Sequence, residues 1–129
     1  MKKILIVDDD ADILEIVSII LKNKGYEVYT HPNGLEVPEA VINYAPDLVL
    51  LDIRLPGKLG TQICKELKEI SDHPPIILFS AHAKKEEAMQ CNADGFMVKP
   101  FDVGTLLKTV DHYAAWNDIL VPMQFEYTQ

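Results

Sequence analysis

Leu48-Val49-Leu50-Leu51-Asp52 carries four apolar residues to a carboxylate, and Ile53-Arg54-Leu55-Pro56-Gly57 then turns the chain into a loop. A short apolar run bounded by turn formers is the pattern of a strand buried on both faces, as in a parallel sheet. Open α/β sheets gather their chemistry at the carboxyl ends of such strands. A strand-end Asp also serves as a plain cap for the loop that follows. This stretch alone leaves both readings open.

Other segments repeat the form. Ile4-Leu5-Ile6-Val7 runs into Asp8, Asp9 and Asp10; Ile76-Ile77-Leu78-Phe79 ends at Ser80; Phe96-Met97-Val98 ends at Lys99-Pro100. Tyr26 to Thr30 alternates with β-branched and aromatic residues, a strand by period. Between these runs the apolar spacing becomes helical. Ile13, Leu14, Ile16, Val17, Ile20 and Leu21 mark a first helix through Lys24, with Asp10 or Asp12 at its start and Gly25 at its end. A weaker helix spans about Leu35 to Tyr44, where Pro38 must sit in the first turn. Gly60 to Ile70 buries Ile63, Leu67 and Ile70, and a short charged helix covers roughly Ala83 to Cys91. The last helix starts near Asp102 and buries Val103, Leu106, Leu107, Val110 and Tyr113. Strand and helix alternate five times, which predicts a parallel five-stranded sheet with helices on both faces.

The 129 residues suffice for one domain with its own core. Apolar content is 48% and charged content 25%, as in folded rather than disordered chains. A net charge of −8 disfavours direct nucleic-acid or anionic-membrane binding. No apolar stretch approaches the length of a bilayer span, and the start carries no signal-peptide pattern. Cys64 and Cys91 lack paired spacing and read as reduced packing residues, so a cytoplasmic setting is expected. The domain should span residues 1–116. Residues 117–129 hold Ile119, Leu120, Val121, Phe125 and Tyr127, apolar enough for a packed tail or a partner contact, unless they begin a linker.

A parallel sheet brings all its carboxyl ends to one edge, so Asp8, Asp9, Asp52, Ser80 and Lys99 converge there. Each has a bland explanation singly; together they make a site. Carboxylates about 4 Å apart repel by roughly 4 kcal/mol per pair at an effective dielectric near 20, so a cation is needed to hold the cluster. Hard oxygen ligands with open positions suit Mg²⁺. Lys99 adds a fixed positive charge and Ser80 a hydroxyl donor, groups suited to phosphoryl oxygens. A carboxylate can itself act as nucleophile and form an acyl phosphate.

The chain resembles a two-component response regulator receiver domain over about residues 2 to 116. The resemblance is carried by Ile4-Leu5-Ile6-Val7-Asp8-Asp9-Asp10, Asp47 to Asp52, Leu55-Pro56-Gly57 with Gly60, Phe79-Ser80-Ala81 and Val98-Lys99-Pro100-Phe101. It implies a flavodoxin-like, doubly wound α/β fold with strand order 2-1-3-4-5 and five helices. It implies that Asp52 accepts a phosphoryl group from a histidine kinase or histidine phosphotransfer protein. Asp9, Asp52 and the Arg54 backbone carbonyl would bind Mg²⁺ directly, with Asp8 acting through water. Lys99 would pair with Asp52 and then with the phosphoryl group, across a cis Lys99–Pro100 bond. Ser80 and Phe96 would form the switch that phosphorylation biases, and Phe96 brings no hydroxyl to its inward state. Arg54 and His82 occupy the positions that tune the lifetime of the phosphoryl group.

Two departures stand out. Leu59 occupies a position that is often Asp in the family, and the interval from Ser80 to Lys99 is a few residues short. The shortening falls at the fourth helix, which with the fifth strand and fifth helix forms the family's output and homodimer face. The resemblance therefore implies a protein–protein output with a downstream target that the sequence does not name. Only self-phosphorylation and self-dephosphorylation are expected, without turnover on free substrate. A phosphorylation-independent interaction module is the alternative, and the intact acidic set argues against it. A phosphatase of the haloacid dehalogenase type would want an Asp where Arg54 stands.

Overall fold

The structure is a computed structural model that describes residues 1–81 and 85–115. In chain order the elements are β1 (Lys3–Val7), α1 (Ala11–Asn23), β2 (Glu27–His31), α2 (Val37–Tyr44) and β3 (Leu48–Asp52). They continue with α3 (Gly60–Lys68), β4 (Ile76–Ser80), α4 (Lys85–Gln90), β5 (Gly95–Val98) and α5 (Val103–Ala114). The strands form one parallel sheet in the order β2-β1-β3-β4-β5. This is the doubly wound arrangement expected from the sequence.

Strand pleating divides the core into two. Leu5, Val7, Val49, Leu51, Ile76 and Leu78 point to the face covered by α2, α3 and α4. Ile4, Ile6, Leu48, Leu50, Ile77 and Phe79 point to the opposite face, where α1 and α5 pack through Val17, Leu21, Leu106 and Val110. β3 and β4 are buried at every position. That explains why their sequences are continuous apolar runs rather than alternating ones.

Local chemistry sets the element ends. Asp10 caps α1 by accepting from the amides of Asp12 and Ile13 at 2.9 and 3.4 Å. Gly25, at φ 96°, follows that helix in the left-handed region glycine tolerates. Asp102 caps α5 through the Thr105 amide at 2.7 Å, and that bond holds its carboxyl below the usual range. Asp94 fixes the amino end of β5 against its neighbours, taking Lys68 Nζ at 2.7 Å and the Ile76 amide at 2.8 Å.

Several sequence expectations shift. β2 runs one residue later than expected, and α3 stops at Lys68, leaving Ile70 half-buried beyond it. α2 begins at Val37 with Pro38 in its first turn, because the Asn33 side chain holds Leu35 in a turn and Glu36 takes a left-handed backbone. α4 is described from Lys85 to Gln90, its expected start at Ala83 lies outside the described residues, and Cys91 lies just past its end, buried and free like Cys64. Val103 and Ile16 share the apolar period of their helices yet are 51% and 55% exposed. Both border a crevice between α1 and α5 instead of the sheet. The expected tail at 117–129 lies outside the described residues.

Leu50 sits fully buried in the central strand, whereas Ile42 is 65% exposed. Leu50→Ala should lower unfolding free energy by about 2–5 kcal/mol in a denaturant titration. Ile42→Ser should stay within about 0.5 kcal/mol of the parent.

Candidate functional site

Parallel pairing carries the polar strand ends to one edge. β1 stops one residue short of Asp8, Asp52 closes β3, Ser80 closes β4, and Lys99 follows β5. The register sets Val7 beside Leu51, Asp52 beside Phe79, and Ser80 beside Val98, so these ends lie level across neighbouring strands. Residues up to 91 positions apart in sequence therefore touch.

Asp8, Asp9 and Asp52 each offer a carboxylate oxygen, and these oxygens lie within 4.8 Å of one another. Asp8 is fully buried, Asp52 is 5% exposed, and Asp9 opens to solvent. Two walls and one open side are what a partly hydrated cation needs. The donor set is all oxygen, which fits a hard divalent ion such as Mg²⁺. Asp9 would bind it from the solvent side, with Asp52 and Asp8 within.

Lys99 reaches both buried carboxylates, at 2.6 Å from Asp8 Oδ2 and 3.5 Å from Asp52 Oδ2. The resemblance implied a pairing with Asp52; in the structure the closer contact is with Asp8. Asp8 also accepts from the Asp10 amide at 2.8 Å, so its two oxygens are both engaged. Asp52 receives the Arg54 amide at a long 3.3 Å and only the more distant Lys99 contact. Its pKa is raised: burial pushes it up most, the Lys99 charge pulls it back, and the neighbouring Asp8 charge pushes it up again. Asp52 is thus the less well compensated of the two buried carboxylates. It is also the one whose strand ends at the loop mouth.

The supporting roles of two residues escaped sequence reasoning. Phe79 lies under the Lys99 ammonium, 4.8 Å from nitrogen to ring centroid, and steadies the charge from the core side. Gly60 passes against the backbone of Asp52 and Ile53. A Cβ there would overlap the Asp52 carbonyl oxygen and come within 2.8 Å of Ile53 Cα. The clue was Gly60 at the start of a helix, a place where a capping residue is usual.

Ser80 is buried at the end of β4. Phe96 is 39% exposed, on the outer strand of the sheet. Arg54 is exposed at the β3–α3 loop, and the Lys99–Pro100 bond is cis as the resemblance implied. His82 lies outside the described residues.

Residues 4–111 match the family model of the response regulator receiver domain. Solved structures agree. The chemotaxis response regulator CheY4 of Vibrio cholerae is 32% identical, with a TM-score of 0.81 over 88% of this chain and 98% of that one. A CheY-like receiver domain protein from Methanospirillum hungatei is 29% identical, with a TM-score of 0.85 over 92% and 97%. The BeF3-activated N-terminal receiver domain of Klebsiella pneumoniae RstA is 28% identical, with a TM-score of 0.81 over 88% and 98%. The chain belongs to the response regulator receiver domain family of two-component signalling. No helix among the described residues is long and apolar enough to cross a membrane.

The charge arrangement predicts that Asp52→Asn stabilises the metal-free fold at neutral pH, by roughly 1–2 kcal/mol. Ionised Asp52 is the disfavoured form in the fold, so its protonation stabilises the parent. The advantage of the Asn variant is therefore full above the raised pKa of Asp52. It fades as pH falls through that value toward the ordinary 3.8. Thermal melts of both proteins in chelator across that range check the sign.

Proposed function

We propose that this receiver domain is a phosphorylation-controlled switch in which Asp52 is the phosphoacceptor. The observation that carries the reading is the contrast between the two buried carboxylates. Asp8 is held closely by Lys99 at 2.6 Å and a backbone amide at 2.8 Å, while Asp52 has only longer contacts, to the Arg54 amide at 3.3 Å and to Lys99 at 3.5 Å. A weakly compensated carboxylate beside a cation site is a competent nucleophile toward phosphorus.

In this reading Asp9 and Asp52, with the Arg54 backbone carbonyl, hold Mg²⁺, and Asp8 steadies it. The ion supplies charge neutralisation to the transferring phosphoryl oxygens when bound. An Asp52 oxygen attacks phosphorus as the P–N bond of a phosphohistidine breaks, and the histidine ring on the donor protein recovers its nitrogen lone pair. Lys99 then moves its closer contact from Asp8 to the new phosphoryl oxygens. Ser80 donates its hydroxyl to the same group, and the exposed Phe96 turns inward behind it. The partner is a histidine kinase or a histidine phosphotransfer protein. Output is by protein contact through α4, β5 and α5, which also offers a homodimer face, and the domain works within the cytoplasm. Residues 1–116 form the switch.

Incubation with Mg²⁺ and acetyl phosphate tests this. A base-labile mass gain of one phosphoryl group is expected, and it should vanish in Asp52→Asn. An unmodified parent protein would instead favour a phosphate-independent interaction module. Arg54 is long, basic and exposed two residues beyond Asp52, and in this reading it lies across the phosphoryl group and excludes water. His82 is the second tuning position. Arg54→Asn should therefore shorten the phosphoryl half-life several-fold in a dephosphorylation time course.

A further inference from the structure

Between α1 and α5 lies a groove of about 410 Å³. Ile13, Ile16 and Ile20 form one wall, and Phe101, Val103 and Leu106 form the other. Its upper end reaches Ala81 and Lys99, beside the acidic site. Ile16 and Val103 stay half exposed there, an apolar surface that the described residues leave uncovered.

The chain itself carries a matching segment. The described residues stop at Ala115, one residue past α5, the helix that forms one wall. Beyond it come Trp116 to Gln129, and from Val121 their pattern alternates strictly: Val121, Met123, Phe125 and Tyr127 are apolar, while Pro122, Gln124, Glu126 and Thr128 separate them. Alternation of this kind gives an extended chain one apolar edge. α5 has 12 residues and so rises about 18 Å. Trp116 to Leu120 cover up to about 16 Å when extended. The alternating stretch can therefore lie along the groove without being fully stretched.

We propose that Val121 to Tyr127 fold back antiparallel to α5 and seat their apolar edge in the α1–α5 groove. This placement does not depend on the phosphoacceptor reading. One other surface fits less well. Joining β5 as a further parallel strand would need a left-handed crossover, because α5 lies on the α1 face of the sheet whereas α3 and α4 lie on the other. A tail tethered this closely also sees its groove at a high effective concentration.

A nitroxide placed at Thr128→Cys in the full chain tests the docking by nuclear magnetic resonance, with Cys64 and Cys91 buried away from the label. Amide signals of Ile13 to Ile20 and Val103 to Leu106 should weaken on the order of twofold or more. Adding Ile16→Lys, at an exposed position, should restore them. Broadening centred on Met89, Phe96 and Val98, or spread without a centre, would overturn the proposal. So would broadening unchanged by Ile16→Lys, or broadening passed between labelled and unlabelled copies, which assigns the groove to a second chain.

Discussion

One ammonium group stands between two buried carboxylates. Lys99 reaches Asp8 at 2.6 Å and Asp52 at 3.5 Å, with a third carboxylate, Asp9, on the solvent side. Charge balance at this edge is incomplete, and burial sharpens the deficit by lowering the local dielectric. Much of the surrounding structure holds this arrangement in place. Phe79 underlies the Lys99 ammonium, the β5 end and Pro100 fix its backbone, and Gly60 lets the β3–α3 turn close over Asp52.

The sheet makes such a cluster possible. The three central strands β1, β3 and β4, buried along almost their whole length, supply the rigidity needed to hold like charges within 4.8 Å of one another. The helices on either face contribute differently. α2, α3 and α4 cover one half of the core. α1 and α5 cover the other half but leave the crevice in which Ile16 and Val103 stay open.

The parallel sheet and the convergence at its edge could be read from the sequence because buried parallel strands leave continuous apolar runs, whereas the strand order came with the family resemblance. Each run ended in the residue that matters: Asp8, Asp52, Ser80 or Lys99. Pairwise geometry could not be read in that way. Apolar period alone placed Val103 in the core, since a period records a face and not what packs against it. Likewise Phe79 looked like one more apolar strand residue, although its ring carries the Lys99 charge. The preference of Lys99 for Asp8 depends on side-chain reach across three strands. Helix ends were set by single residues, such as Glu36 in its left-handed conformation, that propensity does not single out.

The central claim is that the three carboxylates form a cation site and are not merely structural caps. Its most direct test is the melting temperature of the parent and of Asp9→Asn as Mg²⁺ is titrated at neutral pH. Asp9 is exposed, so its replacement spares the core. The parent should gain about 1.4 kcal/mol for each tenfold rise in Mg²⁺ above its dissociation constant, while Asp9→Asn stays nearly flat. A parent that does not respond, or a variant that follows the parent's curve, would contradict the account.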